Sequence, residues 1–371
     1  MSLAPHDLAA ATLACLPDMT PTRLRALFDG CGGPIGALEA VRAGRATAVL
    51  SPRCRTRERG DWRDLERRWR ARADTGPVAR RLAQRGTRVW VDGSDGYPIL
   101  DQVPDRPPVL LAEGAAVDAL EAPRVAVVGT RAATPHGITD ARELCQELGA
   151  AGVTVVSGLA IGIDGAAHEG ALAGAGQTVG VVATGLDVIY PRRHAVLTER
   201  VRAAGLVVGE QGFGVGPRQG LFPVRNRIIA ALADVVVVVE ATIGGGARIT
   251  AQFALEYGRT VLAVPGSRRN PAAAGTNALI ADGAHPLVDW GDVLIALGIS
   301  PAAARTSVPA PPRPAPTVDG RALLDALGGE CATPDQLASR TGLTAAHIAV
   351  AVVDLERKGW VERSRGAIWP R

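Results

Sequence analysis

The chain has 371 residues, 47% of them hydrophobic, which is enough material for two or three domains with sizeable cores. Its 41 Lys and Arg outnumber its 37 Asp and Glu, and the formal charge of +4 permits a nucleic-acid partner without requiring one. Five scattered cysteines without CxxC spacing, no apolar run of ~18 residues and no N-terminal signal pattern indicate a cytoplasmic protein without disulfides or a membrane span.

Residues 1–75 form the first predicted unit, a helical module of the SAM or helix-hairpin-helix type. The stretch LPDMTPTRLRALFDGCGG (16–33) is typical of a turn followed by an amphipathic helix, with Thr20 or Thr22 as its N-cap. The stretch WRDLERRWRARAD (62–74) predicts a further helix with a dense charged face. Modules of this kind either pack as small domains or hold a DNA backbone, and the sequence leaves both roles open.

Residues 76–298 change to a pattern of apolar runs, each followed by glycine and an amphipathic stretch. The runs VWVDGSDGYP and PPVLLAEG predict two entry strands, and six more follow: RVAVVGTR, VTVVSGLA, TVGVVATGLD, GLVVGEQG, DVVVVVEA and TVLAVPGS. Continuous valine-rich runs indicate strands that are covered on both faces, as in a mostly parallel sheet with alternating helices. We therefore predict an α/β fold with an extended Rossmann-like, doubly wound sheet.

The remaining residues divide into a linker and a small C-terminal unit. The segment 299–318 contains SPAAARTSVPAPPRPAP, whose proline and alanine content predicts an extended linker. Residues 319–371 follow the order helix, turn, helix and then β-hairpin, which predicts a winged helix.

Several chemistries that the predicted sheet could carry are excluded by the loops. The first strand-to-helix turn, VVGTRAATPHG, lacks the GxGxxG fingerprint, and the second strand ends in Ser157 rather than in an acid that could bind a ribose. The single lysine, Lys358, lies in the tail, so there is no phosphate-binding P-loop. HExxH, His/Cys cluster and GxSxG patterns are also missing. We therefore predict no cofactor and no metal.

Polar side chains are concentrated where the predicted strands end, which is the edge at which open α/β sheets bind ligands. Thr134 is a predicted cap of the first helix, whose free N–H groups favour an anion. Arginines stand beside two aromatic residues, the combination with which proteins bind the phosphates and bases of single strands. The candidate DNA-binding residues are Gly129, Thr130, Arg131, Ser157, Gly158, Tyr190, Arg192, Arg193, Phe222, Arg225, Asn226 and Arg227.

Some of these edge residues have structural alternatives. Asp164 and Glu240 are predicted to support the site structurally, Asp164 by capping the helix that it opens. His168, on an alanine-rich helix, is predicted to be a packing residue. Arg225 and Arg227 stand where an apolar helical run begins, a position that costs a cation roughly 0.3–1 kcal/mol unless it faces a negative group. We expect that both face a DNA phosphate, or that Arg225 faces phosphate while Arg227 pairs with Glu240.

Six motifs in this order resemble the DNA-processing protein A (DprA/Smf) family: VVGTR, VVSGLAIGIDGAAHEGAL, GLDVIYPRRH, FPVRNRIIAAL, VVVVEATIGGGARITAQFALEYGRTVLAVPG and GTNALIADGAH. The resemblance covers roughly residues 90–298, and the flanking helical and winged-helix units also fit the longer members. Arg131 matches the arginine of the family's Gly-Ser/Thr-Arg motif, which contacts DNA, and Phe222 matches the aromatic residue before Pro-x-Arg-Asn-Arg.

The resemblance implies a non-enzymatic bacterial protein that binds single-stranded DNA without sequence specificity during natural transformation. It implies that the protein protects incoming strands, loads the RecA recombinase and relieves the block by single-strand-binding protein. It also implies a homodimer formed through the Rossmann-like domain. The chain departs from the family pattern at His194, where asparagine is usual nearby, and in GEQGFGVGPRQG (209–220). A loop lysine of some members is absent, with Arg192 or Arg218 as its substitute.

Two other functions compete with this prediction. Nucleotide-cleaving phosphoribohydrolases share the sheet type and a PGGxGTxxE loop, which IGGGARITAQF (243–253) resembles; Phe253 stands where their catalytic glutamate would be, three residues after Thr250. A winged-helix regulator would read duplex DNA, but TAAHIAVAVVDLERKGW offers only His347 and a few polar positions, without an early arginine or asparagine to read bases.

Overall fold

The computed structural model of the chain describes residues 3–52, 62–99, 103–300, 314–364 and 366–370. Within these ranges a nine-stranded sheet follows a group of helices and precedes a small unit with a two-stranded sheet. None of the described helices is long and apolar enough to cross a membrane. Nor do the described residues contain a group of three or more His, Cys, Asp or Glu side chains that could hold a metal ion.

The helical module precedes the sheet. Its helices are α1 Pro5–Ala14, α2 Pro21–Cys31, α3 Pro34–Arg42, α4 Ala46–Leu50, α5 Trp62–Arg70 and α6 Thr75–Arg85. Thr20, rather than Thr22, caps α2, because its side chain accepts a hydrogen bond from the amide of Arg23 at 3.2 Å. Trp69 is fully buried in the core of the module, and its indole N–H donates to the carbonyl of Pro17 at 2.7 Å. The module therefore packs around a large aromatic side chain whose polar atom is satisfied.

The valine-rich runs form the central strands, which confirms the predicted fold class. The strands are β1 Arg88–Val91, β2 Val109–Glu113, β3 Arg124–Val128, β4 Thr154–Ser157, β5 Thr178–Val181, β6 Leu206–Gly209, β7 Val235–Val238, β8 Thr260–Ala263 and β9 His285–Pro286. Their order across the sheet is β1-β2-β6-β5-β4-β3-β7-β8-β9. Strands β3 to β9 are parallel to one another, whereas β1 pairs antiparallel with β2 and β2 pairs antiparallel with β6 at one edge. Every residue of β4, β5, β6 and β7 is buried, as helices on both faces require.

The order of the strands creates a topological switch point beside β3. The helices that connect and follow the strands are α7 Pro135–Ala150, α8 Ile163–Ala173, α9 Ala195–Ala204, α10 Leu221–Leu232, α11 Gly246–Glu256, α12 Ala274–Ala281 and α13 Trp290–Ala296. The chain runs outward from β3 through β4 and β5 to β6, and then returns to β7 on the other side of β3. The connections after β3 and β7 therefore leave neighbouring strand ends in opposite directions, which opens a crevice between them.

The C-terminal unit has the helices and the hairpin of a winged helix. Its elements are α14 Val318–Leu327, α15 Pro334–Thr341, α16 Ala345–Arg357, β10 Val361–Ser364 and β11 Ala367–Pro370. A capping box between Thr333 and Gln336 fixes the start of α15. The hairpin contacts the large sheet unit, since the ring of Trp369 lies edge-on against His136 in the first turn of α7, with 4.9 Å between ring centroids.

A buried glutamate joins the helical module to the sheet. Glu113, the last residue of β2, is 3% exposed. Arg85 at the end of α6 donates to both of its carboxylate oxygens at 2.7 Å, and Thr87 donates to Oε1 at 2.9 Å. Arg202 from α9 lies 3.3 Å from Oε2. One carboxylate thus holds α6 and α9 to the same strand.

We predict that Glu113→Gln lowers the free energy of unfolding by about 3 kcal/mol, because it leaves two arginines around a buried group without their counter-charge. Chemical denaturation measures the change. Glu199→Gln is the matched control, since Glu199 also pairs with Arg202, at 2.5 Å, but its side chain is 62% exposed. The control should lose less than about 1 kcal/mol. Equal losses in the two variants would contradict the role of Glu113.

Candidate nucleic-acid interface

The switch point holds a crevice of about 380 Å³ at the carboxyl ends of β3 and β7. It is lined by the turn after β3, the start of α10 and the glycine-rich loop that leads into α11. Its lining residues include Gly129, Thr130, Arg131, Asp164, Gln219, Phe222, Arg225, Asn226, Gly245 and Gly246. Seven of the predicted site residues therefore meet in one place: Gly129, Thr130, Arg131, Asp164, Phe222, Arg225 and Asn226.

The turn after β3 is fixed by hydrogen bonds to its neighbours. The amide of Thr130 donates to the backbone carbonyl of Glu240 at 2.8 Å, and the carbonyl of Thr130 accepts from the amide of Ile163 at 3.3 Å. Thr134 caps α7, as predicted, by accepting from the amide of Gly137 at 3.1 Å. The turn thus holds its shape without a ligand, and it presents Arg131 to solvent beside the N-terminus of α7.

Arg131 belongs to a small shelf at the mouth of the crevice. Its guanidinium carbon lies 4.8 Å from the centre of the Phe222 ring. The ring of Tyr190, which is 43% exposed, lies 5.5 Å from that of Phe222 at an angle of 50°. We call these three residues the aromatic shelf. It offers one planar cation and two aromatic rings on the same surface, which suits a phosphate next to unpaired bases.

Two exposed arginines extend the shelf on the Tyr190 side. Arg192 and Arg193 lie in a short 3₁₀ helix, Arg192–His194, that follows Pro191. Arg193, Tyr190 and Phe222 line a second, smaller pocket of about 70 Å³ next to the crevice. The ring of His194 is held inward, with Nδ1 3.0 Å from the carbonyl of Leu159. The predicted arginines of this loop are therefore at the surface, while the histidine is structural.

Ser157 is not available to a ligand. It is fully buried, and its hydroxyl donates to the carbonyl of Val127 at 2.6 Å. The prediction that Ser157 binds DNA is wrong for its side chain, because its hydroxyl already donates to a backbone carbonyl of the neighbouring strand β3. Gly158 is buried as well, and a Cβ there would lie 2.3 Å from Arg225 Nη1 and 2.5 Å from Asp164 Oδ2. Glycine is therefore needed for two charged groups to converge.

Arg225 lies under the crevice rather than on its surface. It is 4% exposed, and its Nη1 donates to the carbonyls of Gly158, at 2.6 Å, and Val181. Burial lowers the pKa of its guanidinium to about 10, against the opposing effect of the negative charge of Asp164. Arg225 is among the residues that line the crevice, and its buried Nε has no hydrogen-bond partner among the described residues. The expectation that Arg225 faces a DNA phosphate is therefore wrong for its Nη1, because strand-end carbonyls and a carboxylate draw it inward.

Asp164 supports the site in a way that differs from the predicted cap. The N-cap of α8 is Gly162, with no side-chain cap, and Asp164 is the second residue of the helix. It is 6% exposed. Burial raises the pKa of its carboxyl, while the charge of Arg225 and the backbone N–H of Ala160 favour the ionised form. Asp164 is thus the counter-charge of the buried arginine.

Arg227 does not pair with Glu240. It is 6% exposed, ion-pairs with Glu210 and lies 3.7 Å from Asp105. Glu240 instead accepts from the amide and the hydroxyl of Thr134, at 2.9 and 2.6 Å. The predicted pairing is wrong because the first turn of α7 already satisfies that carboxylate. The start of α10 at Leu221 also places both arginines beyond the first turn, where the expected penalty does not apply.

His168 packs as predicted. It is fully buried, and its Nδ1 lies 2.7 Å from the hydroxyl of Thr178. Burial lowers the pKa of the imidazole to about 3, so it stays neutral at physiological pH.

The start of α11 contributes groups that sequence reasoning did not select. Its N-cap, Gly245, has no side chain, so the first amide N–H groups of the helix are free of a side-chain cap beside the crevice. Asn226 donates from Nδ2 to the carbonyl of Gly246 at 3.2 Å, which ties this loop to α10. Gln219 also lines the crevice. The run of three glycines was the available signal for the loop, whereas nothing in the pattern marked Gln219.

Known proteins and protein families resemble this chain. The family model DNA recombination-mediator protein A matches residues 88–298, and a DprA winged helix domain model matches residues 307–367. Protein Smf of Synechocystis is 40% identical over 223 residues, which cover 59% of this chain and 56% of that protein. The putative DNA processing protein DprA of Mycobacterium tuberculosis is 36% identical over 351 residues, which cover 90% of this chain and 86% of the relative.

Two solved structures are also similar. The X-ray structure of DprA from Streptococcus pneumoniae has a TM-score of 0.65 and 31% identity, and the match covers 80% of this chain and 98% of that one. The DNA processing protein A of Helicobacter pylori, described for its unique single-stranded DNA binding mode, has a TM-score of 0.51 and 30% identity. That match covers 57% of this chain and 95% of the other.

We predict that Arg227→Ala lowers the free energy of unfolding by about 3 kcal/mol, because the side chain of Glu210 is then buried without a partner. Thermal and urea unfolding measure the loss. Arg248→Ala is the control, since that side chain is 29% exposed and its carboxylate partner, Asp282, is 68% exposed at 3.6 Å. It should cost less than about 1 kcal/mol. A loss no larger than in the control would show that the Arg227 pair is not structural.

Proposed function

This chain belongs to the DNA recombination-mediator protein A (DprA/Smf) family, and from that premise we propose that it binds single-stranded DNA at the carboxyl edge of its sheet. The observation that carries the proposal is the aromatic shelf, in which Arg131 stacks on Phe222 next to Tyr190. A guanidinium beside a helix N-terminus attracts a phosphate, and exposed rings stack on bases that duplex DNA keeps hidden. The single-stranded DNA binding described for the Helicobacter pylori protein supports the same partner.

The site residues then divide into two roles. In this proposal Arg131, Arg192 and Arg193 contact phosphates, and the amides at Gly129, Thr130 and the start of α11 add uncharged donors. Phe222 and Tyr190 stack on bases, and Asn226 holds the glycine-rich loop in place. The groups that position these contacts are Ser157, Gly158, Asp164, Arg225, Arg227 and Glu240.

This set of groups provides no code for reading bases. Aromatic faces accept every base, and arginines on the backbone carry no sequence information. We therefore propose binding without sequence specificity, in keeping with a cytoplasmic protein that processes incoming DNA. The names of the relatives, DNA processing protein, support that role. The proposal also includes loading of RecA, contact with single-strand-binding protein and a homodimer that forms through the 76–298 unit. In it, residues 1–75 are a helical module, residues 299–318 a linker and residues 319–371 a winged helix.

A nucleotide-cleaving activity has less support. Phe253, at the position of the expected catalytic glutamate, is half-buried and stacks on Tyr257 with 5.9 Å between ring centroids. A duplex-reading winged helix is also less favoured, because the exposed face of α16 carries apolar side chains, with Val350 71% and Val353 51% exposed. Such a face lacks the donors that read base edges.

We predict that the protein binds a single strand more tightly than a duplex of the same sequence. Several phosphate contacts should give a slope of about −2 to −4 in a plot of log affinity against log salt. Fluorescence anisotropy over a salt series measures both quantities. Two unrelated single strands of one length serve as the specificity control and should bind within about threefold of each other. A flat salt response or tighter binding of duplex would refute the proposal.

We predict that Arg131→Ala weakens single-strand binding by about 1.5–3 kcal/mol, because it removes a charge-assisted contact and the cation over Phe222. Arg131→Lys keeps the charge but not the planar stacking group, so it should recover only part of the loss. Anisotropy titrations at fixed salt measure the affinities, and melting temperatures verify folding. Arg88→Ala, which removes an exposed arginine from the edge strand β1, is the charge-matched control. Parental affinity in a folded Arg131→Ala variant would remove Arg131 from the site.

A further inference from the structure

A second group of arginines lies on the helical module, around the turn between α1 and α2. Asp18 forms this turn with a φ of +55° and is exposed. Arg68 of α5 contacts its Oδ2 at 2.7 Å, and Arg23 of α2 donates to its backbone carbonyl at 2.7 Å. Two cations thus meet at Asp18 on the surface of the module, Arg68 at its carboxylate and Arg23 at its backbone carbonyl.

The loop after β6, residues 210–220, connects this turn to the crevice. Gln211 of the loop lines a small cleft together with Met19 and Thr20 of the turn. At its other end the loop leads through Arg218 to Gln219, which lines the crevice. The hydrogen bond from Arg68 and the charges of Arg68, Arg218 and Arg23 hold the pKa of the Asp18 carboxyl below its usual range. The exposed Arg218 therefore stands between the crevice and the cations of the module.

The module also repeats the arrangement of the aromatic shelf. The guanidinium carbon of Arg23 lies 5.7 Å from the centre of the half-buried Trp62 ring, as that of Arg131 lies 4.8 Å from Phe222. Arg218 is four residues from Phe222 in the chain, so at most about 14 Å separates their Cα atoms. The same pairing of arginine with an aromatic ring thus occurs on both sides of Arg218.

We propose that Arg218, Arg68 and Arg23, with the ring of Trp62, form an arginine ridge that binds the sugar-phosphate backbone of a single strand leaving the crevice. The inference rests on the proposed function and extends it from the sheet edge to the helical module. Arg68 is shared between the carboxylates of Asp18 and Asp64, at 2.7 and 2.8 Å, and the exposed Arg218 adds a positive charge beside Asp18. A phosphate bound there competes with Asp18 for the guanidinium of Arg68, so Asp18 weakens the binding of the strand.

Strand length separates the ridge from the crevice. The wild-type full chain is titrated with single strands of about 3 and about 20 nucleotides. At about 3.4 Å per nucleotide the shorter strand covers only about 10 Å and does not occupy the crevice and the ridge together. Arg218→Ala and Arg68→Gln should each weaken binding of the longer strand by about 5-fold or more and reduce its salt slope by about 0.7. Binding of the shorter strand should change by less than about 2-fold. Arg88→Ala, which removes an exposed arginine from β1, is the charge-matched control.

Asp18→Asn tests the ridge in the opposite direction. Asparagine tolerates the positive φ of this turn, and its side chain removes the negative charge from among the arginines. Affinity for the longer strand should rise by about 2-fold or more, a gain that a merely structural role of Asp18 would not produce.

The outcomes distinguish the two proposals. Failure of the wild type to bind either strand overturns single-strand binding and the ridge with it. Binding of both strands with no effect of the ridge variants on the longer one overturns the ridge alone. Equal weakening of both lengths by Arg218→Ala also overturns it, because Arg218 would then belong to the crevice.

Discussion

The burial of Arg225 beside Asp164 constrains the whole carboxyl edge of the sheet. A charge in the protein interior costs several kcal/mol unless it is paired and hydrogen-bonded. Arg225 meets this requirement only because the carbonyls of Gly158 and Val181, at the ends of β4 and β5, point to its Nη1. If the strand ends separated, the buried charge would lose its hydrogen-bond acceptors. The floor of the crevice is therefore held rigid by its own electrostatics, and the loops above it are carried on a fixed base.

The sheet could be predicted from the sequence, because a strand that is covered on both faces leaves a local signature, the continuous valine run. The partners of the arginines could not be predicted in this way. Glu210 and Glu240 both follow a valine-rich strand, and either could have faced Arg227. The choice depends on the order of β6 and β7 across the sheet and on the competing N–H and hydroxyl of Thr134. Both depend on residues that are far apart in the chain, so a local sequence pattern does not reveal them.

The polar residues at the strand ends show the same limit. Gly129, Thr130 and Arg131 follow β3 and line the crevice, as the rule for open α/β sheets predicts. Ser157 follows the same rule in the sequence, yet its hydroxyl is bonded to the adjacent strand. A polar side chain at a strand end can satisfy the backbone of its neighbour or remain available to a ligand. Only the packing around it decides between the two.

Helical geometry explains how the short motif FPVRNR (222–227) both lines the crevice and supports it from below. Phe222 and Asn226 are four residues apart on α10, so they share a face, and both line the crevice. Arg227 lies a further 100° around the helix from Asn226 and turns to Glu210. Arg225 lies under the crevice, where Asp164 balances its charge. The buried pair holds the floor of the crevice in shape, and direct contact with a ligand is left to the exposed arginines at its mouth.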